Sequence, residues 1–370
     1  MLSAQPSYKP ELNLPKRAEW DVLDGFQVRR LSLSSDRGTT LQRVRNVMSF
    51  CLQVSARVLI APRRDVVMCS TYPPVLLAFC VSVVSRWRRS SFVYHCMDIH
   101  PEIGRLSGEF RQPGVFGLLR RMDLAVCRAA AAIVVLSDDM KRALVARDPA
   151  LAPKVWVINN FDLPATGDAS PSRDEPWVAR SSETLRVVFT GNIGRFQALD
   201  EVVDGVLEDR EELDRVELVL MGEGAAKADL ERRVALAAPE VQRRVTLLPH
   251  GTTAQARRLM RDADLGLVSL VPNVVGHAYP SKTATYLAEG LPVLLGVERN
   301  SALSTHILAV GAGVEMGTPS AHGVAATLAW CADHIDEVRS MRPAALRAWR
   351  NDFNVEDKLR QWDELLEAIA

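Results

Sequence analysis

Residues 185–197 read LRVVFTGNIGRFQ. The first six are dominated by Leu, Val and Phe, the texture of a strand buried on both faces of a parallel sheet. Gly191 and Gly194 then interrupt the run, and a helix is expected to begin near Leu199. Strand, glycine-bearing turn and helix make the first half of a βαβ unit. Glycine lets backbone amides approach a ligand closely. The helix N-terminus adds free N–H donors and positive potential suited to phosphate. Arg195 could add a fork of donors to a pyrophosphate held at this turn. The pattern is not GxGxxG, which argues against a dinucleotide site.

Working outward, the same alternation recurs. Downstream, strands are expected at 216–221, 244–248, 264–270 and 292–296, with helices between them. Upstream, residues 65–70 (DVVMCS), 91–95 (SFVYH), 132–137 (AIVVLS) and 154–159 (KVWVIN) read as buried parallel strands. Between the two series lies PATGDASPSRDEPWVARSS, residues 164–182, rich in Pro, Ser and charge, a linker. The expected architecture is α/β, with two Rossmann-like domains facing a cleft. Residues 1–163 form the first domain, 164–182 the linker, 183–350 the second domain and 351–370 a final helix. That helix places Leu359, Trp362, Leu365, Leu366 and Ile369 on one face, and its simplest partner is the second domain. A chain of 370 residues suits two domains of ordinary size.

Three more segments carry chemistry. Met221-Gly222-Glu223-Gly224 follows a strand and could form a ledge beside a nucleoside, which makes Gly222 and Glu223 candidates. Residues 279–293, YPSKTATYLAEGLPV, read as a two-turn helix with Ser281 as N-cap, Gly290 just past its end and Pro292 blocking continuation. Its free amides plus Lys282 make a second anion site. Residues 95–102, HCMDIHPE, gather His95, Asp98, His100 and Glu102 at a strand's C-terminal end, where they could supply a base or hold acceptor hydroxyls. Their spacing is a weak metal signal, and no metal or other cofactor is expected. Asp262 and Asp264 resemble a DxD metal motif but sit at a helix-to-strand turn. Asp138 and Asp139 are explained by the N-terminus of their own helix, capped by Ser137.

Composition narrows the partners. The chain is 48% hydrophobic and 24% charged, with zero net charge. The charge is uneven: residues 1–163 carry 23 basic and 14 acidic groups, a net of +9, and the rest balance it at −9. A basic half seeks an anionic partner. No aromatic-rich basic ribbon or helix-turn-helix pattern is present, so an anionic membrane surface is favoured over nucleic acid. The longest apolar run, residues 73–85, is too short to span a bilayer. It is followed by Arg86, Arg88 and Arg89. No secretory signal pattern opens the sequence, so a cytoplasmic location is expected, with peripheral attachment to the inner membrane face. The six cysteines form no CxxC pair and read as buried free thiols.

GNIGRFQALDEVV and YPSKTATYLAEGLPVL, with VVLSDDMKRAL, VINNFDL, LVLMGEG and MDIHPE in the same order, resemble glycosyltransferase family 4 in its bacterial surface-polysaccharide branch. The resemblance implies the GT-B fold, a nucleotide-sugar donor held by the second half, and retention at the anomeric carbon. It also implies a lipid-linked or polysaccharide acceptor, no metal requirement and a final helix that crosses back to the first domain. Carried over by motif, Gly191, Asn192 and Arg195 lie near the diphosphate, Ser281, Lys282 and Thr283 surround phosphate and sugar, and Gly222 and Glu223 border the nucleoside. The HCMDIHPE loop lines the acceptor side. Two departures stand out. The Glu-x7-Glu pair of many members is replaced by His277 and Thr285. The opening MLSAQPSYKPEL resembles the end of the family's second strand, so the first domain is expected to lack its N-terminal strand and helix.

Overall fold

The structure, a computed structural model, describes residues 1–5, 17–23, 25–33, 39–110, 112–161, 177 and 181–369. Most of the expected linker lies outside them. Of its described residues, Trp177 is buried in the core of the second half.

The first half opens with strands β1 (Leu2–Ala4), β2 (Trp20–Leu23) and β3 (Phe26–Leu31), then the long helix α1 (Thr40–Ile60). It continues with β4 (Val66–Ser70), α2 (Leu76–Trp87), β5 (Ser91–Cys96), α3 (Glu102–Leu106), α4 (Pro113–Ala129), β6 (Ala132–Val135), α5 (Asp138–Arg147) and β7 (Val155–Val157). The second half runs β8 (Leu185–Thr190), α6 (Leu199–Val206), β9 (Val216–Met221), α7 (Lys227–Leu236), α8 (Pro239–Gln242), β10 (Val245–Leu248), α9 (Thr253–Arg261) and β11 (Leu265–Ser269). Then come α10 (Lys282–Ala288), β12 (Val293–Gly296), α11 (Ala302–Ala309), β13 (Gly313–Glu315), α12 (Ala321–Asp333), α13 (Ile335–Ser340), α14 (Arg342–Asp352) and α15 (Val355–Ile369).

The second half is one parallel sheet in the order β10-β9-β8-β11-β12-β13. Its chain moves outward from β8 in one direction, returns, and moves outward from β11 in the other. The crevice between the C-terminal ends of β8 and β11 is therefore a topological switch point, where α/β sheets bind ligands. Every residue of β8, β11 and β12 is buried, as near-continuous apolar strings require when helices cover both faces. The charged exception is Arg186, whose fully buried guanidinium pairs with Glu217 at 2.9 Å and with Asp262. Asp264 accepts from the Arg186 amide at 2.9 Å and from Arg339 at 2.9 Å. The DxD-like residues are thus structural, as their position between helix and strand indicates.

The first half divides its strands between two sheets. One is β1-β3-β2, with β1 parallel and β2 antiparallel to β3; the other is the all-parallel β4-β5-β6-β7. Both contribute to a single apolar core that includes Leu31, Phe50, Cys69, Phe92 and Ile133. The opening residues do form a strand.

Among the described residues the halves meet at several places. Ile99 N–H donates to the His277 carbonyl at 2.7 Å, beside a one-residue bridge between Asp98 and Ala278. The Asp139 carboxylate accepts twice from Ala302 N–H, at 2.8 and 3.1 Å, and so caps α11 in the other half. It is more than the dipole partner of its own helix, whose N-cap is Ser137, accepting from Met140 at 3.2 Å. Finally, α15 packs Trp362, Leu365 and Ile369 against Val93, Val134 and Ile158. The last helix therefore rests on the first half, which corrects the simpler expectation that it covers the second. Five apolar residues on one face report a burial partner without saying which one.

Candidate functional site

Two glycine turns meet above the switch point. Gly191 N–H donates to the Met221 carbonyl at 2.9 Å, Ile193 N–H to Glu223 at 2.9 Å, and Ala226 N–H to Ile193 at 3.0 Å. A Cβ on Gly222 would stand 1.8 Å from the Gly191 carbonyl oxygen, and one on Gly224 would stand 2.2 Å from that of Ile193. Only glycine allows this zipper of backbone. Gly191 also has φ +119°, left of the range that side chains favour. Asn192 and Arg195 project from the turn and are exposed. Glu223 is half exposed and pairs with Lys227 at 2.7 Å.

Against this turn lies Lys282. A Cβ on Gly191 would sit 3.3 Å from its Cε, and its Nζ stands 4.5 Å above the centre of the Phe189 ring. Burial pushes its ammonium down to about 8, and no carboxylate offsets that burial. The helix behind it is fixed at both ends. Tyr286 Oη, fully buried, accepts from Thr190 N–H at 3.1 Å and ties α10 to the end of β8. Gly290, at φ +65°, closes the helix, with Gly290 N–H to Leu287 at 3.0 Å and Leu291 N–H to Tyr286 at 2.9 Å. Ser281 differs from its expected role. It has helical dihedrals and makes no side-chain cap. The Pro280 carbonyl instead accepts from Thr283 N–H at 3.0 Å and Oγ1 at 2.9 Å. Thr283 is thereby buried and its hydroxyl engaged, while that of Ser281 is left for the cleft.

The cleft holds a cavity of about 350 Å³ lined by Met97, Asn159, Asn160, Phe161, Tyr279, Ser281, Ala284 and Thr285. The first four come from strand ends of the first half and the last four from the α10 entry, so the two halves enclose it jointly. Among these, sequence reasoning named Ser281 as a ligand contact and included Met97 in the HCMDIHPE loop of the acceptor side. Asn159 and Asn160 carried a signal, since one ends the predicted strand 154–159 and the other follows it, at the strand end where α/β sites form. Thr285, at the place of a family glutamate, lines the cavity. His277, at the other such place, lines a neighbouring cavity of about 390 Å³ with Asp139, Arg142 and Glu298.

The acceptor-side candidates do not converge on the 350 Å³ cavity. His95 lies within β5, its ring edge-on to Trp362 with centroids 5.4 Å apart. Burial lowers its pKa, and its buried Nε2 has no hydrogen-bond partner. His100 is pushed down to about 4 by burial, and its Nδ1 is likewise unpartnered. Both imidazoles are therefore neutral at pH 7. Asp98, in the bridge to Ala278, has its carboxyl raised by burial. Glu102 is held by Arg147 at 2.6 Å and Arg120 at 3.6 Å. Arg147 also pairs with the fully buried Asp123, which accepts from Tyr94 Oη at 2.9 Å. Glu102 is thus part of an ion cluster beneath the loop. Among the described residues, no three His, Cys, Asp or Glu side chains gather as a metal-binding group.

No protein-family model matches the sequence, and no curated protein matches it. Solved structures do. HepE of Anabaena, in complex with UDP-glucose, matches at TM-score 0.65 and 14% identity over 93% of this chain and 86% of that one. Sucrose-phosphate synthase from Thermosynechococcus elongatus matches at TM-score 0.69 and 13% identity over 99% and 88%. The lipopolysaccharide outer core galactosyltransferase WaaB, in its apo form, matches at 0.59 and 12% over 93% and 85%. The fold is GT-B. In this GT-B frame two Rossmann-like halves face each other across a cleft that holds the cavity, and Lys282, against Gly191, directly follows the cavity-lining Ser281. Among the described residues no helix is long and apolar enough to cross a membrane.

Proposed function

We propose that this chain is a nucleotide-sugar-dependent glycosyltransferase. The observation that carries the reading is Lys282, a partly buried ammonium with no carboxylate partner among the described residues, set against the zipped glycine turns and next in sequence to Ser281, which lines the cavity between the two halves. A protein keeps such a charge out of water only at a cost, and an arriving diphosphate supplies the missing counter-charge. Arg195 and the amides of the 191–194 turn add donors. When the sugar leaves the diphosphate, negative charge grows on the departing oxygen, and preorganised donors there lower the barrier. Ser281, which lines the cavity, offers a hydroxyl to the sugar, while His277 and Thr285 stand at the places of the family glutamates.

The finer reading is a retaining transferase of hexose type, acting without metal in cell-surface polysaccharide biosynthesis. Its acceptor is lipid-linked or a polysaccharide, and it works at the cytoplasmic face of an anionic membrane. The family resemblance carries these details. The UDP-glucose complex of HepE and the galactosyltransferase WaaB favour transfer over the alternative of nucleotide-sugar epimerisation. Calorimetry against a panel of nucleotide sugars, followed by an assay for nucleotide release and sugar transfer to lipid extract, tests the proposal. Transfer with nucleotide release is expected. Epimerised donor without release would identify an epimerase, and binding without turnover a binding protein.

A further inference from the structure

The second cavity, of about 390 Å³, is built by both halves. Asp139 and Arg142 enter it from α5 of the first half, and Asn273, His277, Glu298 and Asn300 enter it from two loops of the second. These loops brace each other. Asn273 has φ +68°, a left-handed conformation that asparagine tolerates better than most side chains. In that pose its N–H donates to the Glu298 carboxylate, and its carbonyl accepts from His277 Nδ1 at 2.7 Å. A carbonyl can only accept, so Nδ1 carries the proton and, in the neutral ring, Nε2 is an acceptor. From the first half, Arg142 Nη2 donates to Asp139, whose carboxylate also holds Ala302 N–H. The polar groups are therefore set in place before any ligand arrives.

Their chemistry points to the ligand. Two carboxylates accept, a guanidinium that is 61% exposed donates, and the Asn300 carboxamide does both. A phosphate would meet repulsion from Asp139 and Glu298, and an apolar group would strip water from these side chains without replacing its hydrogen bonds. A neutral ring rich in hydroxyls satisfies donors and acceptors alike. Position supplies a second argument. His277 lines this cavity, and Tyr279 lines the cavity of about 350 Å³. Two residues of chain set their Cα atoms at most about 7 Å apart, so the cavities stand side by side. The segment between them is pinned to the first half, since the His277 carbonyl accepts from Ile99 N–H at 2.7 Å and Ala278 bridges Asp98.

We propose that the 390 Å³ cavity is the acceptor subsite and binds an uncharged, hydroxyl-bearing sugar unit of the acceptor. This rests on the glycosyltransferase reading, with the donor sugar in the neighbouring cavity. It moves the acceptor away from the HCMDIHPE loop, where His95 packs on Trp362 and Glu102 is held by Arg147. On transfer the acceptor hydroxyl oxygen bonds to the anomeric carbon, the bond from that carbon to the diphosphate oxygen breaks, and the hydroxyl proton leaves with the diphosphate. Arg142, Glu298 and Asn300 hold the other hydroxyls of the acceptor sugar and take no part in the proton's movement.

The test measures initial rates of transfer by the full chain from UDP-glucose and other nucleotide sugars, to a lipid extract and to soluble neutral oligosaccharides in turn. Arg142→Gln and Glu298→Gln should each raise KM for the acceptor by at least about tenfold, the loss of a hydrogen bond to a charged group. Their kcat and calorimetric donor affinity should stay near wild type. Asn300→Trp, at an exposed position on the rim, should keep the melting temperature and donor affinity and block transfer. Saturation by the lipid extract marks a lipid-linked sugar and saturation by oligosaccharides a polysaccharide, and either supports the subsite. Unchanged acceptor KM in all three variants would overturn the assignment and leave the transferase reading standing. So would inorganic phosphate competing with the acceptor in wild type but not in Arg142→Gln, which marks an anion site. No transfer by the wild type to either acceptor would remove the transferase reading, and this subsite with it.

Discussion

Replacing Lys282 with methionine keeps the apolar stem and removes the charge, and two effects of opposite sign are expected. In the unfolded chain a lysine holds its proton to about 10.5, whereas burial lets Lys282 lose it at about 8. Between those values the unfolded state binds more protons, so stability rises with pH, and the cost of burying the ammonium is fully present below pH 8. From the two values that cost is at most roughly 3 kcal/mol, and solvent entering the cleft reduces it. The variant is therefore expected to be more stable than wild type at pH 7, by about 1–3 kcal/mol. Binding moves the other way. A charge-assisted hydrogen bond to a diphosphate contributes about 1.5–3 kcal/mol, so affinity should fall roughly 10–150-fold. In the wild type only the ammonium form binds well. Its fraction drops from about 0.9 at pH 7 to about 0.1 at pH 9, so affinity should weaken about tenfold. Calorimetry with UDP-glucose and the other nucleotide sugars at both pH values, alongside urea unfolding, measures all three quantities. A Lys282→Met variant with wild-type affinity and the same pH dependence would refute the role of this lysine.

Gly222→Ala should separate the two glycine turns, because its methyl would stand 1.8 Å from the Gly191 carbonyl oxygen. Overpacking of this kind costs about 1–3 kcal/mol, and donor affinity should fall with it; unchanged melting and affinity would show that the zipper is dispensable. His100, held neutral down to about 4, should make the protein acid-sensitive. The unfolded chain takes up a proton below about 6.5 and the folded one does not, so stability is lost as pH falls from 6.5 to 4, by at most roughly 3 kcal/mol for this group. Urea midpoints at pH 7 and 4.5 should differ less in His100→Gln than in wild type, and an equal difference would assign the acid sensitivity elsewhere.

Strand and helix positions were legible along the chain because burial leaves a local period. Fully apolar stretches such as residues 132–135 and 185–190 became fully buried strands, apart from Arg186, and the glycine turn after β8 lies where its sequence indicated. Backbone-level rules also carried over: Gly290 ends its helix, Ser137 caps its own, and Asp262 and Asp264 settle a turn. The DxD decoy was recognisable from its place between helix and strand, although the groups that hold its two carboxylates, Arg186 and Arg339, lie at least 75 residues away. What the chain could not declare was which distant partner satisfies a given group. Asp139 reads as the acidic start of a helix, yet it caps another helix 163 residues away. Glu102 reads as an acid near a catalytic loop, yet Arg147 claims it. The last helix displays an apolar face that fits either half, and its packing against Val93 and Val134 decides the matter. The cavity itself belongs to neither half, since Asn159–Phe161 and Ser281–Thr285 become neighbours only when the two sheets face each other. Periodicity records how much of a side chain is covered; the identity of what covers it depends on contacts between residues far apart in the chain, and those exist only in the folded molecule.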